Sequence, residues 1–286
     1  MLLFELFIKV KNINEILSGD ELKIINVNLD FNKAFKVDES SASKFINKTL
    51  DLAHKYGLKN NVSGIINCPI NKNLLNKGIA GVTEDLAFKC GIKNKSEVML
   101  IRNKKISVSP ITTHINVKDV SKQIKKEIII IKIKTINKWF KKFFKKKPKI
   151  AILSIDPHAG DGGVISKNDQ EVTVPVIKEM NENGFLVYGP FSSDSFFGSL
   201  EYKKYDITVA SFHDQGLIPF KTLSFGRGVN YSSGLERIRT SPDHGTAYGI
   251  AGKGQASKDS FLTSIFLAID IYKMRKIHDE YSKDKL

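Results

Sequence analysis

Cysteine is scarce in this chain of 286 residues: only Cys68 and Cys90 are present. Two thiols give neither a disulfide framework nor a zinc-knuckle spacing, and a reducing, cytoplasmic compartment is expected. No apolar run is long enough to span a bilayer, so no membrane partner is expected. The apolar start, MLLFELF, is broken by Glu5 and no small-residue cleavage site follows, so it reads as a helix or strand and not as a signal peptide. No Gly/Ser-rich linker and no internal repeat divide the chain. A G-x-G-x-x-G turn, a Walker A loop and a G-x-S-x-G elbow are all missing, which excludes an ordinary Rossmann fingerprint, a P-loop and a serine-hydrolase nucleophile.

Acidic residues are also in short supply. Thirty Asp and Glu face 45 Lys and Arg, for a net charge of +15. Such a balance can serve nucleic acid or an anionic surface. Here the excess is mostly Lys spread along an Asn- and Ile-rich chain, and no RNA-binding aromatic motif or zinc finger accompanies it. The densest run, KKFFKKKPK at 141–149, reads as a solvated helix end. Nucleic acid is not an expected partner.

What is present alternates between strand and helix signals. Strands are expected at Leu22 to Val27, Val62 to Asn67, Val98 to Ile101, Ile106 to Val108, Lys149 to Ile155, Gly184 to Tyr188 and Ile207 to Phe212. Helices are expected from a cap at Ser40 or Ser41 to Tyr56, from Val117 to Phe144, from Asp169 to Asn183, and from Ser257 onward with a stripe of Leu262, Ile265, Phe266, Ile269 and Tyr272. This order predicts an α/β fold.

The chain is organised around Ala210 to Ser257, which reads as a strand end followed by a long loop. It holds the pairs His213-Asp214 and Asp243-His244, and the cations Lys221, Arg227, Arg237 and Arg239. Three histidines, His114, His158 and His213, each follow an expected strand. Ligands bind beyond the carboxyl ends of strands in α/β sheets, so these imidazoles are candidates for a divalent metal. Asp156, Asp214 and Asp243 are placed to orient an imidazole or a cofactor ribose. Lys72 follows a strand end, and Gly81-Val82-Thr83-Glu84 opens a helix suited to an anion.

The segments CPINK, GVTE, TTH, PHAGDGG, HDQGLIPFK, GRGVN and GLERIRTSPDHGTAYGIAGKG, in this order, closely resemble the 4-hydroxythreonine-4-phosphate dehydrogenase family of vitamin B6 biosynthesis. The resemblance covers roughly residues 60 to 275. It implies two α/β/α lobes with the site in the cleft, as in isopropylmalate dehydrogenase: residues 1–80 with 225–286, and 81–224 with the dimer interface. It implies oxidation of 4-phosphooxy-L-threonine with NAD or NADP, then decarboxylation to 3-amino-2-oxopropyl phosphate. A divalent metal (Zn, Mg or Co) falls on His114, His158 and His213, with the third contributed across a homodimer. Substrate-binding positions fall on Thr83, Lys221, Asn230 and Arg239. The cofactor loop falls on Asp243, His244, Gly245, Thr246 and Ala247. Lys72, Lys221 and Asp214 are the candidates for proton transfer. Two departures stand out: Val82 replaces the family's usual His, and the family's N-terminal Gly-Asp-Pro-Ala-Gly-Ile-Gly-Pro-Glu motif is missing. They leave a paralogous activity on 4-phosphoerythronate or 4-phosphothreonate, or a catalytically weakened homologue, as alternatives.

Overall fold

The computed structural model describes residues 7–15, 22–33, 36–59, 62–79, 81–91, 98–103, 105–224, 228–233 and 238–283. Arg227 and Arg237 lie outside them. Two compact units divide the chain: Met1–Ser63 with Ile70–Ile79, and Gly64–Pro69 with Ala80–Leu286.

The first unit holds a parallel pair, β1 (Phe7–Val10) and β2 (Leu22–Ile25), and helix α1 (Glu39–Gly57). The cap of α1 is Asp38, not Ser40 or Ser41: its carboxylate accepts from the Ser41 amide at 2.9 Å. Asp38 wins because it precedes the first turn and can reach the orphan amides there. Ser43 Oγ and Asn47 Nδ2 both donate to the Leu74 carbonyl, tying α1 to the turn that contains Lys72.

The second unit is built on eight strands. In chain order they are β3 (Gly64–Ile66), β4 (Val98–Arg102), β5 (Ser107–Thr112), β6 (Lys149–Leu153), β7 (Leu186–Phe191), β8 (Ile207–Phe212), β9 (Val229–Ser233) and β10 (Ile238–Pro242). They lie in the order β3-β10-β9-β4-β5-β8-β6-β7. Strands β5, β8, β6 and β7 run parallel, so their carboxyl ends share one edge. Strand β4 returns antiparallel to β5 and β9. The helices are α2 (Val82–Lys89), α3 (Val120–Gln123), α4 (Lys126–Phe144), α5 (Val174–Glu182), α6 (Ser193–Gly198), α7 (His213–Ser224) and α8 (Asp259–Lys283). Ile129, Ile133, Ile136 and Phe140 of α4 seal one sheet face, and Leu217 and Phe220 of α7 pack in the core of the other. This is the expected α/β class.

Four local expectations change. The helix expected over 117–144 is broken at Ile124, whose extended backbone separates α3 from α4. The loop expected after His213 is instead α7, despite Pro219 inside it. Gly216 explains why: a Cβ there would lie 2.5 Å from Val108 Cγ1 and 2.9 Å from Ala210 Cβ. Glycine lets α7 lie close on β5 and β8, and that packing overrides local propensity. Strands β9 and β10 also fall in the expected loop. Their buried Ser232, Arg239, Thr240 and Ser241 disguise two core strands. Finally, the expected stripe of α8 is largely the exposed one, with Phe266 62% accessible, while Ser260, Ser264 and Ile271 are buried. Thr240 Oγ1 donates to the Ser264 carbonyl at 3.0 Å, so α8 docks through small residues that permit close approach.

Candidate active site

The shared edge of β5, β8 and β6 gathers the histidine chemistry. Phe212 is paired with Thr112, so the residues following these two strands emerge side by side. Thr112 Oγ1 donates to the Ser211 carbonyl at 2.9 Å, locking the ends together. Gln215 extends the lock to the third strand. Its Oε1 accepts from the Ser211 amide at 2.6 Å, and its Nε2 donates to the Ser154 carbonyl and to Ser193 Oγ. This positioning role was not read from the sequence, although Gln215 sits inside the HDQG motif.

On this platform the rings of His114 and His213 stand 5.8 Å apart, centroid to centroid. Nδ1 of His114 lies 3.1 Å from Glu84 Oε1, and Nδ1 of His213 lies 2.6 Å from Asp214 Oδ1. A carboxylate only accepts, so each Nδ1 donates the hydrogen, and the lone pair available in the neutral form of each ring is on Nε2. This is the donor state a divalent ion requires, with a carboxylate fixing each imidazole. The chemistry of the pair therefore fits a metal. Asp214 does orient an imidazole, as expected. Glu84 was seen in the sequence only as part of an acidic first turn.

His158 stands elsewhere. It is exposed, on a turn where His158, Ala159, Gly160, Asp161 and Gly162 all have positive φ. A Cβ on Gly160 would lie 2.2 Å from the Ser166 carbonyl oxygen, so only glycine permits this turn. Asp169, buried, accepts from the amides of Ile155 and Asp156 and anchors its base. Asp156 does not orient His158: its Oδ2 accepts from Asn168 Nδ2 at 2.8 Å. Among the described residues, no three His, Cys, Asp or Glu side chains assemble as one metal cluster. The chain thus brings together two of the three expected ligands. Within one chain His213 stands beside His114.

Next to the pair lies a cavity of about 230 Å³ lined by Thr83, Glu84, Thr113, His114, Gln123 and Lys132, among others. Beneath Thr83 is Arg239, 4% accessible. Its Nη1 donates to Thr83 Oγ1 at 3.1 Å and to Ser232 Oγ at 3.0 Å, and its Nε donates to Asn67 Oδ1 at 2.8 Å. Burial lowers its pKa to about 10, with the charge of Glu84 pulling the other way. Val82 is buried within this wall.

The remaining expected residues occupy other places. Asn230 lies on β9, and its buried Oδ1 takes no hydrogen bond from a described residue. Lys221, on α7, acts electrostatically on Asp243. Burial raises the Asp243 pKa, while Ser260, Lys221 and His244 oppose that rise. Asp243 bonds Ser260 Oγ and not His244. His244 and Gly245 are exposed, Thr246 is half-buried, and Ala247 has φ of 52°. Lys72 opens a turn of the first unit.

The family described as "Pyridoxal phosphate biosynthetic protein PdxA" matches residues 4–268. The chain belongs to this family. A 4-hydroxythreonine-4-phosphate dehydrogenase of Bacteroides thetaiotaomicron is 40% identical over 90% of this chain and 72% of its own length. One from a Sulfurihydrogenibium species is 42% identical over 94% of this chain and 83% of its own length. A crystal structure of 4-hydroxythreonine-4-phosphate dehydrogenase from Klebsiella pneumoniae superposes with a TM-score of 0.77, at 29% identity, covering 93% of this chain and 82% of that one. Membership in the PdxA family makes the chain an oxidoreductase of pyridoxal phosphate biosynthesis. No helix among the described residues is long and apolar enough to cross a membrane.

Proposed function

We propose that this PdxA family member oxidises 4-phosphooxy-L-threonine with NAD or NADP, assisted by a divalent metal, and that the product then loses CO₂ to give 3-amino-2-oxopropyl phosphate. The observation that carries the reading is the His114–His213 pair, each Nδ1 on a carboxylate, beside a cavity that Thr83, Glu84 and Lys132 help to line. When bound, a metal ion supplies Lewis-acid polarisation of the substrate hydroxyl, and a nicotinamide supplies the hydride acceptor.

The chain's own residues do the rest. His114 and His213 present Nε2, and Glu84 and Asp214 hold the Nδ1 protons. His114, His158 and His213 form the proposed ligand set, shared between the subunits of a homodimer; among the described residues of one chain no three such side chains form a metal cluster. Thr83 and Arg239 form one wall for the phosphorylated substrate; Asn230 and Lys221 contribute a polar acceptor and a point charge. Asp243 to Ala247 receive the cofactor. Lys72, Lys221 and Asp214 are the proposed proton carriers. The division into lobes 1–80 with 225–286 and 81–224, and a cytoplasmic location, belong to the same proposal.

The test is direct. Purified protein with Zn²⁺ or Mg²⁺ and NAD⁺ is offered 4-phosphooxy-L-threonine, then 4-phosphoerythronate and 4-phosphothreonate. NADH and CO₂ from the first substrate are expected. Turnover of the sugar acids alone would overturn the substrate, and no NADH from any of them would overturn the dehydrogenase reading.

A further inference from the structure

A second cavity, this one mainly polar and of about 310 Å³, opens at the opposite end of the parallel strands. Ser107 and Thr208, which line it, are at the amino-terminal ends of β5 and β8. The five steps of β5 from Ser107 to Thr112, at roughly 3.3 Å each, separate it from the His114 edge by about 17 Å. Its walls carry three cations, Arg102, Lys105 and Lys146, against one carboxylate, Asp206. Asp206 is already committed: it pairs with Lys146 and accepts from the Lys149 amide at 2.9 Å.

Arg102 is the unusual member. Its guanidinium carbon lies 4.1 Å from the centroid of the Phe144 ring and 5.8 Å from that of Phe140. Its side chain makes no hydrogen bond or ion pair with any described residue; its remaining interaction is the distant charge of Asp206. Desolvation lowers its pKa. A half-buried guanidinium normally finds acceptors for its five N–H groups. Here the two rings hold the guanidinium and no described residue accepts from its N–H groups, which leaves a fork of donors for a tetrahedral oxyanion. With Lys146 neutralised by Asp206, Arg102 and Lys105 leave two positive charges, matching a dianion.

We propose that Arg102 and Lys105 form a second anion site that takes a phosphate group, separate from the histidine site. The shared chemistry is a phosphate dianion, either of a free phosphomonoester or of the 2′-phosphate that distinguishes NADP from NAD.

The chain carries its own reporter. Trp139, its single tryptophan, has its ring 5.2 Å from that of Phe144. Inorganic phosphate titrated at constant ionic strength should give a saturable change in tryptophan fluorescence. The midpoint should rise about tenfold in Arg102→Gln and a few-fold in Lys105→Gln, the range expected for losing one charged hydrogen bond. Lys221→Gln, which weakens the other phosphate-binding region, should leave it unchanged. Displacement of phosphate by NADP but not NAD would assign the cofactor as source; displacement by neither would assign a free phosphomonoester. No saturable change, an equal response to chloride, or an unshifted midpoint in both variants would overturn the site. Lys105 is exposed, so its variant stays informative if Arg102→Gln fails to fold.

Discussion

Glu84 Oε1 lies 3.1 Å from Nδ1 of His114, across 30 residues of sequence, and Asp214 Oδ1 lies 2.6 Å from Nδ1 of His213. The two carboxylates set the tautomer of both rings. Replacing either with its amide allows a flipped ring or the wrong tautomer. Glu84→Gln and Asp214→Asn should each weaken Zn²⁺ or Co²⁺ binding by about tenfold or more while leaving thermal stability nearly unchanged. Metal titration followed by calorimetry checks this; unchanged affinity in both variants would remove the carboxylates from the site.

Arg239 holds Thr83, Ser232 and Asn67 through charged donors in a dry environment. Arg239→Met leaves those oxygens without their donor. We expect a loss of roughly 3 kcal/mol in urea unfolding. Arg239→Lys should recover only part of it, because one ammonium cannot reproduce the fork.

Much of this edge was legible in the sequence. Strands β6 and β8 are apolar runs expected over Lys149 to Ile155 and Ile207 to Phe212, the start of β5 was expected over Ile106 to Val108, and the histidines after them stood out for that reason. The meeting of His114 with His213 was not legible, because it depends on β5 and β8 being neighbours. Strands β9 and β10 read as loop because VNYSS and IRTSP carry polar side chains whose partners, such as Asn67 and Thr83, come from elsewhere in the chain. Helix α7 was hidden by Gly216 and Pro219. The α8 stripe was a real periodicity assigned to the wrong face, since Ser260 and Ser264 make the contact.

Gly216 gives a sharp test of packing against propensity. Alanine in a helix interior is favoured over glycine by about 1 kcal/mol. A Cβ 2.5 Å from Val108 Cγ1 costs roughly 1–3 kcal/mol of overpacking. Gly216→Ala should therefore destabilise the protein, and adding Val108→Ala should reduce the effect of the Gly216 substitution. A stabilised single variant in thermal melts would contradict the packing.

Burial is the main cause that holds the Asp243 carboxyl above the ordinary aspartate range. A carboxyl whose folded pKa exceeds its unfolded one binds its proton more tightly when folded. Its ionisation therefore costs stability as pH rises through the folded pKa, and the cost is absent below the unfolded value. Asp243→Asn removes that cost while keeping an acceptor for Ser260. Relative to wild type, the variant should gain stability at neutral pH compared with pH near 3. Parallel urea melts at both values check the sign.

Anomalous diffraction from crystals grown with Zn²⁺ tests the pairing of the two imidazoles without assuming an activity. One peak is expected about 2.0–2.1 Å from Nε2 of both His114 and His213 of the same chain, with the Glu84 and Asp214 contacts intact. A zinc ion bound at His213 but not at His114 of that chain, or one ligated through Nδ1 with the carboxylates displaced, would contradict it.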